Sequence, residues 1–298
     1  MRTYTGRRGF CLGLTLACGL AFAFASHIVP FVDVSVRARA AAEEKTQDEK
    51  AGKIIPFKGT LYLIGGGANQ SLDRFVELAG GKKAKIVIIP HASSQPQEAA
   101  DSAANLFAAR GVKNIVTIMP GQSGIGLPKD VSGVYLTGGD QNRLVRLLDK
   151  TLAGEISDYL MNGGLVGGTS AGAAAAAKRM IAGGMDDSLI KSGSLLLGDG
   201  LGYLPEIIVD THVLQRARHD RLLVAITLVS GTMGIGLDED TAVEISGERL
   251  RVWGVHHVRI VQRSEKHSSN LASVDKGAKA NVQNVIYSVL SEGDEWKF

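Results

Sequence analysis

Gly168-Thr169-Ser170-Ala171-Gly172 is a serine flanked by glycines in the G-x-S-x-G form. In that form a strand turns sharply into a helix, the serine hydroxyl projects from the turn, and small neighbours relieve the crowding. The flanks agree: an apolar stretch at 164–166 leads in, and an alanine-rich stretch at 171–178 leads out as a predicted helix. The Ala171 N–H would then aim at the same point as the hydroxyl, at a helix start that favours negative charge. The plain alternative is a Gly/Ala turn chosen only for tight packing. A serine nucleophile needs a base, and the base needs an orienting acid. Of His27, His91, His212, His219, His256, His257 and His267, His212 follows directly on an apolar run at 207–209, and Glu239 follows another at 233–237. A buried structural histidine and a helix-capping glutamate are the corresponding alternatives. Thr137-Gly138-Gly139-Asp140-Gln141 follows a run at 134–136 and opens a helix. Its glycines let a backbone N–H approach a reacting carbonyl, so Gly139 and Ala171 are the candidate oxyanion donors, an arrangement worth about 3 kcal/mol per donor. The chemistry these residues suit is acyl transfer through a serine.

The elements that must position them can be read from periodicity. Apolar runs at 61–64, 86–89, 115–118, 134–136 and 165–166 alternate with amphipathic stretches at 71–79, 96–110, 141–148 and 155–161. A helix from Ser170, a strand at 207–209 and a helix over 213–229 continue the series. Runs buried on both faces and separated by helices predict an α/β three-layer sandwich with a mostly parallel central sheet. After Met233 the short β-rich runs at 242–245, 250–255, 258–262 and 285–290 predict extra antiparallel strands near the C-terminus. Open α/β sheets carry their chemistry at the carboxyl ends of strands. Those ends hold Gly65-Gly66-Gly67, His91, the 137–141 turn, the Ser170 turn, Asp210-Thr211-His212 and Asp238-Glu239-Asp240.

Arg7-Arg8 precede an apolar run at 10–25 that ends in Ala23-Phe24-Ala25, which reads as an export signal over residues 1–25. Arg7-Arg8-Gly9-Phe10 also resembles the twin-arginine signature, and Ala38-Arg39-Ala40 offers a later cleavage site. The expected location is therefore periplasmic or extracellular. No stable membrane anchor is expected, because the run is shorter than the ~20 residues a spanning helix needs; an uncleaved anchor is the alternative. Residues 26–53 read as a polar linker, and residues 54–298 as a single α/β domain. Removing the signal takes away Arg2, Arg7 and Arg8 and no acid, leaving 30 basic residues against 30 acidic ones in a chain of 298. A near-neutral chain lacks the basic footprint of a nucleic-acid partner. Cys11 and Cys18 both lie in the signal, so the mature chain has no disulfide, thiol nucleophile or cysteine metal site. Acylation of Cys18 is the alternative, against which Thr15 stands where such sites carry Leu. His256-His257 are adjacent rather than at metal-ligand spacing, so no metal and no cofactor is expected. Monomer and homodimer both stay open.

Taken together, Thr137-Gly138-Gly139-Asp140-Gln141, Gly168-Thr169-Ser170-Ala171-Gly172, Asp210-Thr211-His212 with Gln215-Arg216-Ala217-Arg218-His219-Asp220-Arg221, and the segment 236–242 around Glu239 resemble the cyanophycinases. These are serine exopeptidases related to α-aspartyl dipeptidase, built on a class I glutamine-amidotransferase-like sheet. The resemblance runs from Gly59 to the C-terminus. It implies hydrolysis of cyanophycin, a poly-aspartate whose β-carboxyls carry arginine, to β-Asp-Arg dipeptides. By resemblance Ser170 is the nucleophile, His212 the general base and acid, and Glu239 the acid that orients His212. Gln141, Asp210, Arg216, Arg218 and Arg221 match positions lining the family's substrate pocket. Guanidinium groups grip carboxylates bidentately, and the substrate's own guanidinium suits an acid such as Asp210. Arg218 and Arg221, three apart on the predicted helix, would share a face; a solvated face with surface ion pairs is the alternative. Thr211 departs from the family's Gln, which leaves a smaller aspartyl-peptide as the alternative substrate.

Two other readings compete. An α/β-hydrolase esterase would use Ser170 with Asp238 or Asp240 and His256, His257 or His267. A non-catalytic binding protein would cradle a ligand in Gly65-Gly66-Gly67 and the 137–141 turn. His91 is a further pocket candidate, or a turn cap.

Overall fold

Five of the apolar runs form parallel strands because each offers a side chain to both faces of a sheet, with period two. The computed structural model describes residues 55–298 except Ser123 and 186–188, so the signal and the linker lie outside the described residues. Strands β1 (Thr60–Ile64), β2 (Lys85–Ile89), β3 (Asn114–Thr117), β4 (Gly133–Leu136) and β5 (Leu165–Thr169) lie in the order β3-β2-β4-β5-β1, all parallel. Leu61, Leu63, Val87, Ile89, Val134, Leu136 and Val166 face one core, and Tyr62, Ile64, Ile86, Ile88 and Tyr135 face the other. Helices α1 (Ser71–Leu78) and α2 (Pro96–Ala109) cover the second face, and α3 (Gln141–Leu147) and α4 (Lys150–Met161) cover the first. The predicted three layers are thus present. Asp140 and Asp149 start α3 and α4 by accepting the N–H groups of Asn142 and Arg143 and of Thr151 and Leu152.

Beyond β5 the chain departs from the expectation in three places. The helix expected over 171–178 is a single turn, α5 (Ala171–Ala174). The alanines after it are buried, and their backbone bonds to a crossing segment: Leu201 N–H to Ala175 O at 2.7 Å, Leu204 N–H to Ala176 O at 3.1 Å and Lys178 N–H to Leu204 O at 2.9 Å. Small side chains there serve close backbone approach, which overrides alanine's helix propensity. The chain then forms a hairpin of β6 (Arg179–Gly184) and β7 (Leu195–Asp199).

The second departure is a separate sheet. Strands β8 (Ile207–Thr211) and β9 (Met233–Leu237) pair in parallel with each other, apart from the main sheet. Third, the helix expected over 213–229 is only α6 (Arg221–Leu228). Residues 213–220 turn instead, with Ala217 at φ 50° and with Val213 and Leu214 N–H groups spent on Leu237 O and the Asp238 carboxylate. Arg218 therefore precedes the helix and shares no helical face with Arg221.

Strands β10 (Thr241–Ser246) and β11 (Arg249–Gly254) return to extend the main sheet antiparallel from β1. Strands β12 (Val258–Ser269) and β13 (Val282–Leu290) add to the second sheet in the order β13-β12-β9-β8, and β14 (Glu295–Lys297) closes beside β11. One face of the second sheet, with Ile207, Val209, Ile235, Leu237 and Ile260, packs into the same core as α3 and α4. α6 covers its other face.

Tyr62, Phe75, Phe107 and Tyr135 form a tilted and edge-on ring cluster under α1 and α2, with centroids 5.1–6.0 Å apart. Phe107 is fully buried in it. Phe107→Ala should cost about 3–5 kcal/mol of unfolding free energy. Urea denaturation followed by circular dichroism should show the midpoint falling with an unchanged slope.

Candidate active site

Ser170 is held in a conformation that an ordinary residue avoids, at φ 51° and ψ −112°. Its N–H donates to Ile64 O at 2.9 Å, so the end of β1 fixes the turn that follows β5. The two glycines of the motif have separate steric causes. A Cβ on Gly168 would lie 2.5 Å from the Gly172 carbonyl carbon, and one on Gly172 would lie 2.4 Å from Leu136 O on β4. The turn can close only where neither side chain exists.

Ser170 Oγ lies 2.7 Å from His212 Nε2, and His212 Nδ1 lies 2.6 Å from Glu239 Oε1. A carboxylate can only accept, so Nδ1 carries the proton and Nε2 presents its lone pair to the serine hydroxyl. β8 and β9 deliver the imidazole and the acid side by side, as the register Thr211 to Leu237 requires. The second sheet is tied to the first here: His212 N–H donates to Gly65 O at 2.9 Å and Asp240 N–H to Gly66 O at 2.7 Å, while Gly65 N–H continues the β1–β10 pairing onto Thr241 O at 2.9 Å. A Cβ on Gly66 would stand 2.1 Å from His212 Cε1, and one on Gly67 would stand 3.3 Å from Glu239 Cβ. The glycine triplet, weighed above as a ligand cradle, is thus taken up by the imidazole and the glutamate.

His212 is buried, and burial holds its pKa below the usual histidine value. The Glu239 bond pulls in the opposite direction, while the charges of Arg216 and Arg218 add to the lowering. The ring is therefore neutral at neutral pH and able to accept a proton. The 137–141 turn borders the serine: a Cβ on Gly138 would lie 3.4 Å from Ser170 Cβ. Gly139, at φ 139°, packs on Ala92, whose carbonyl also accepts Asp140 N–H at 2.9 Å. Among the described residues, the Gly139 and Ala171 N–H groups donate to no backbone acceptor.

Residues 61–253 match the sequence profile described as Peptidase family S51. The cyanophycinase of Synechococcus elongatus is 33% identical over 265 residues, covering 84% of this chain and 81% of that protein. The cyanophycinase of Geminocystis herdmanii is 34% identical over 255 residues, covering 80% of this chain and 94% of the relative. This chain belongs to peptidase family S51. It is a serine peptidase, and a crystal structure of a peptidase from an acI-B1 Actinobacterium shares its fold. That structure is 20% identical with a TM-score of 0.57, covering 83% of this chain and 98% of the other.

In the S51 peptidase the remaining sequence candidates fall into two groups. Asp210 and Arg221 are both buried, with Arg221 Nε 3.4 Å from Asp210 Oδ2 and Arg218 Nη1 4.0 Å from Oδ1. Burial pushes the Asp210 carboxyl above the usual range, against the pull of the two guanidinium groups. Arg218 also donates to Thr211 O at 3.1 Å. Arg216 is exposed, with its backbone N–H on His212 O. Gln141 uses its amide Nε2–H on Ile181 O at 2.7 Å, and Asn142 beside it bonds Ala182 O at 2.9 Å, so the start of α3 is pinned to β6.

The esterase alternative fails on geometry. Asp238 is spent on Arg259 at 2.5 Å and on the N–H groups of Leu214 and His257. Asp240 accepts the N–H groups of Asn69, Gln70 and Ser71 at the start of α1. His256 faces Glu239 O and His267 faces Thr227, and the imidazole bonded to Ser170 is that of His212 rather than of His256, His257 or His267. His91 is buried at the end of β2 with Nδ1 unpartnered, and burial lowers its pKa. Among the described residues no group of three or more His, Cys, Asp or Glu is placed to hold a metal ion, and no helix is long and apolar enough to cross a membrane.

Gln215, read from sequence only as part of the family motif and given no role, accepts Glu239 N–H on its Oε1 at 3.0 Å. Its place three residues after His212 was the available signal.

Activity that needs neutral His212 fails as pH falls through the pKa of its ring. The acid limb of kcat/KM should therefore lie below the ordinary value of 6.5. Arg216→Gln removes a charge that lowers this pKa, so the limb should move to higher pH, read from kcat/KM over a pH series.

Proposed function

We propose that this S51 peptidase is an exported cyanophycinase-like exopeptidase that releases β-Asp-Arg dipeptides from cyanophycin through an acyl-enzyme. The observation that carries the reading is the unbroken hydrogen-bond chain from Ser170 Oγ through His212 to Glu239. It lies in a protein whose relatives named cyanophycinase are a third identical along four-fifths of the chain.

In this mechanism His212 Nε2 takes the Ser170 proton as Oγ attacks an aspartyl carbonyl carbon. The Gly139 and Ala171 N–H groups receive the negative charge on the carbonyl oxygen. Glu239 stabilises the imidazolium without taking its proton. The imidazolium then protonates the leaving amine as the C–N bond breaks, leaving an ester on Ser170. The same imidazole then takes a proton from water, whose oxygen attacks the ester carbonyl, and the imidazolium returns that proton to Oγ as the ester C–O bond breaks.

The charge around β8 supports an acidic substrate. Arg216 stands exposed four residues after His212 and presents a positive charge at the surface there. That surface favours the carboxylates of a poly-aspartate backbone. A guanidinium of the substrate finds less to hold at Asp210 than the sequence suggested, because Arg218 and Arg221 already flank that carboxylate. Residues 1–25 support export, and an exported enzyme can reach a granule too large to import.

Thr211 favours a second reading. It is buried at the end of β8 where cyanophycinases carry Gln, and a shorter side chain there suits a small aspartyl-peptide. The deciding experiment incubates purified protein with insoluble cyanophycin and identifies soluble products by mass spectrometry. β-Asp-Arg dipeptide should appear, and none with Ser170→Ala. Intact polymer alongside cleaved small aspartyl-peptides would transfer the assignment to the second reading. A serine-directed phosphonate should label the parent protein and not Ser170→Ala.

A further inference from the structure

Glu239 occupies a gap between strands. β9 ends at Leu237 and β10 begins at Thr241, so neither backbone group of Glu239 belongs to a sheet ladder. Both are nonetheless engaged, and by side chains. Its N–H donates to Gln215 Oε1 at 3.0 Å. Its carbonyl receives His256 Nδ1–H at 2.9 Å and the Thr241 hydroxyl at 3.2 Å. Thr241 Oγ1 in turn accepts the His256 N–H at 2.9 Å, which fixes the imidazole by its own backbone.

We infer that Gln215 and His256 are positioning residues, a two-sided clamp on the Glu239 peptide groups that sets the angle at which its carboxylate meets His212. The inference rests on the serine-peptidase reading of Ser170 and His212 given above. Three observations separate this role from general support of the fold. The neighbours of Glu239 are anchored independently: Asp238 by Arg259, and Asp240 by its N–H on Gly66 O at 2.7 Å and its carbonyl under Val255 N–H at 3.1 Å. Loss of one clamp arm thus leaves the chain in place and loosens only the peptide plane on that side of Glu239, the carbonyl side keeping its Thr241 hydroxyl. Next, Gln215 is exposed, so it contributes little packing. Finally, the clamp arms come from the two turns that flank the acid, 213–220 after His212 and 255–257 after β11, and the first continues directly from His212, so one stretch of chain reaches both the imidazole and its acid. The segment His212 to Gln215 is stitched to Leu237 to Glu239 by Val213 N–H on Leu237 O, Leu214 N–H on Asp238 Oδ1 and the Gln215 bond.

The chemistry of the clamp defines its test. Gln215 must supply an acceptor and His256 a donor. Gln215→Met and His256→Leu keep bulk and remove those functions; Gln215→Glu and His256→Asn keep an acceptor oxygen and a donor N–H. The readouts are the rate of acylation by a fluorophosphonate, which reports serine activation whatever the natural substrate, and the downfield proton resonance of His212 Nδ1–H, which reports its bond to Glu239 without any reaction. Gln215→Met and His256→Leu should each slow acylation about tenfold to a hundredfold, the scale on which small misplacements act, and should shift or broaden the resonance. Gln215→Glu and His256→Asn should recover most of both. Parental rates and an unmoved resonance in the Met and Leu variants would overturn the clamp. So would Glu and Asn variants no better than Met and Leu, because side-chain volume would then be what matters. Undiminished labelling of Ser170→Ala would instead sink the functional reading, and the resonance would still decide the clamp.

Discussion

The imidazole of His212 occupies space that a side chain at residue 66 would claim, and the rest of the site depends on that exclusion. Two sheets with separate strand pairings must bring their carboxyl ends together, and they do so through the backbone of Gly65 and Gly66. Each junction carries conformational strain. Ser170, His212 and Asp240 all have positive φ, a state that costs about 1–3 kcal/mol for a residue with a side chain. Such strain persists only where the surroundings over-determine it. Here the surroundings are one continuous core in which Leu61, Leu63 and Val166 of the main sheet pack with Ile207, Val209 and Ile235 of the second. Burial of apolar strands thus holds a polar turn in place, and the turn holds the hydroxyl against the imidazole.

The acids at the ends of β8 and β9 show how environment assigns roles to similar groups. Asp210, Asp238 and Glu239 are near neighbours, yet the first two are buried and answered by arginines. Removing one partner of such a pair leaves an unpaired buried charge, which costs about 3–5 kcal/mol. Those carboxylates are therefore committed to holding the strand ends. Among the described residues no arginine is bonded to Glu239; its longer stem reaches His212 Nδ1 at 2.6 Å from a half-buried position. The acid that orients the imidazole is the one whose charge the fold has not already compensated.

The parallel sheet was legible in the sequence because strands buried on both faces must be continuously apolar, and 61–64, 86–89 and 134–136 are. That Ser170, His212 and Glu239 would meet was legible because each stands within four residues after an apolar run, at the same end of its strand. What misled was alanine: the stretch 171–178 has high helix propensity, but a crossing segment needs its backbone, and tertiary hydrogen bonds decided the outcome. The 213–220 turn was missed for a related reason. Its sequence is compatible with a helix, and only the distant acceptors Leu237 O and Asp238 draw its N–H groups elsewhere. The purpose of Gly66 was invisible, since a glycine's neighbour across a turn has no signature in the local sequence. Gln215 was hidden likewise, because its partner is a backbone N–H and carries no residue identity.

Charge distribution completes the connection between fold and chemistry. Outside its first residues the chain has balanced acids and bases, so no long-range field draws it to a polyanion. Three arginines, Arg216, Arg218 and Arg221, follow His212 within nine residues, and the charges of the first two reach the imidazole. That concentration has two effects of opposite kind. Under the proposed function it favours a carboxylate-bearing chain, and it lowers the basicity of the imidazole bonded to Ser170. The Glu239 bond opposes the second effect and leaves the first intact, because it acts at Nδ1, on the far side of the ring from the hydroxyl. On the proposed reading, an imidazole beside these arginines keeps its proton affinity only with an acid bonded to its other nitrogen, which is where the end of β9 delivers Glu239.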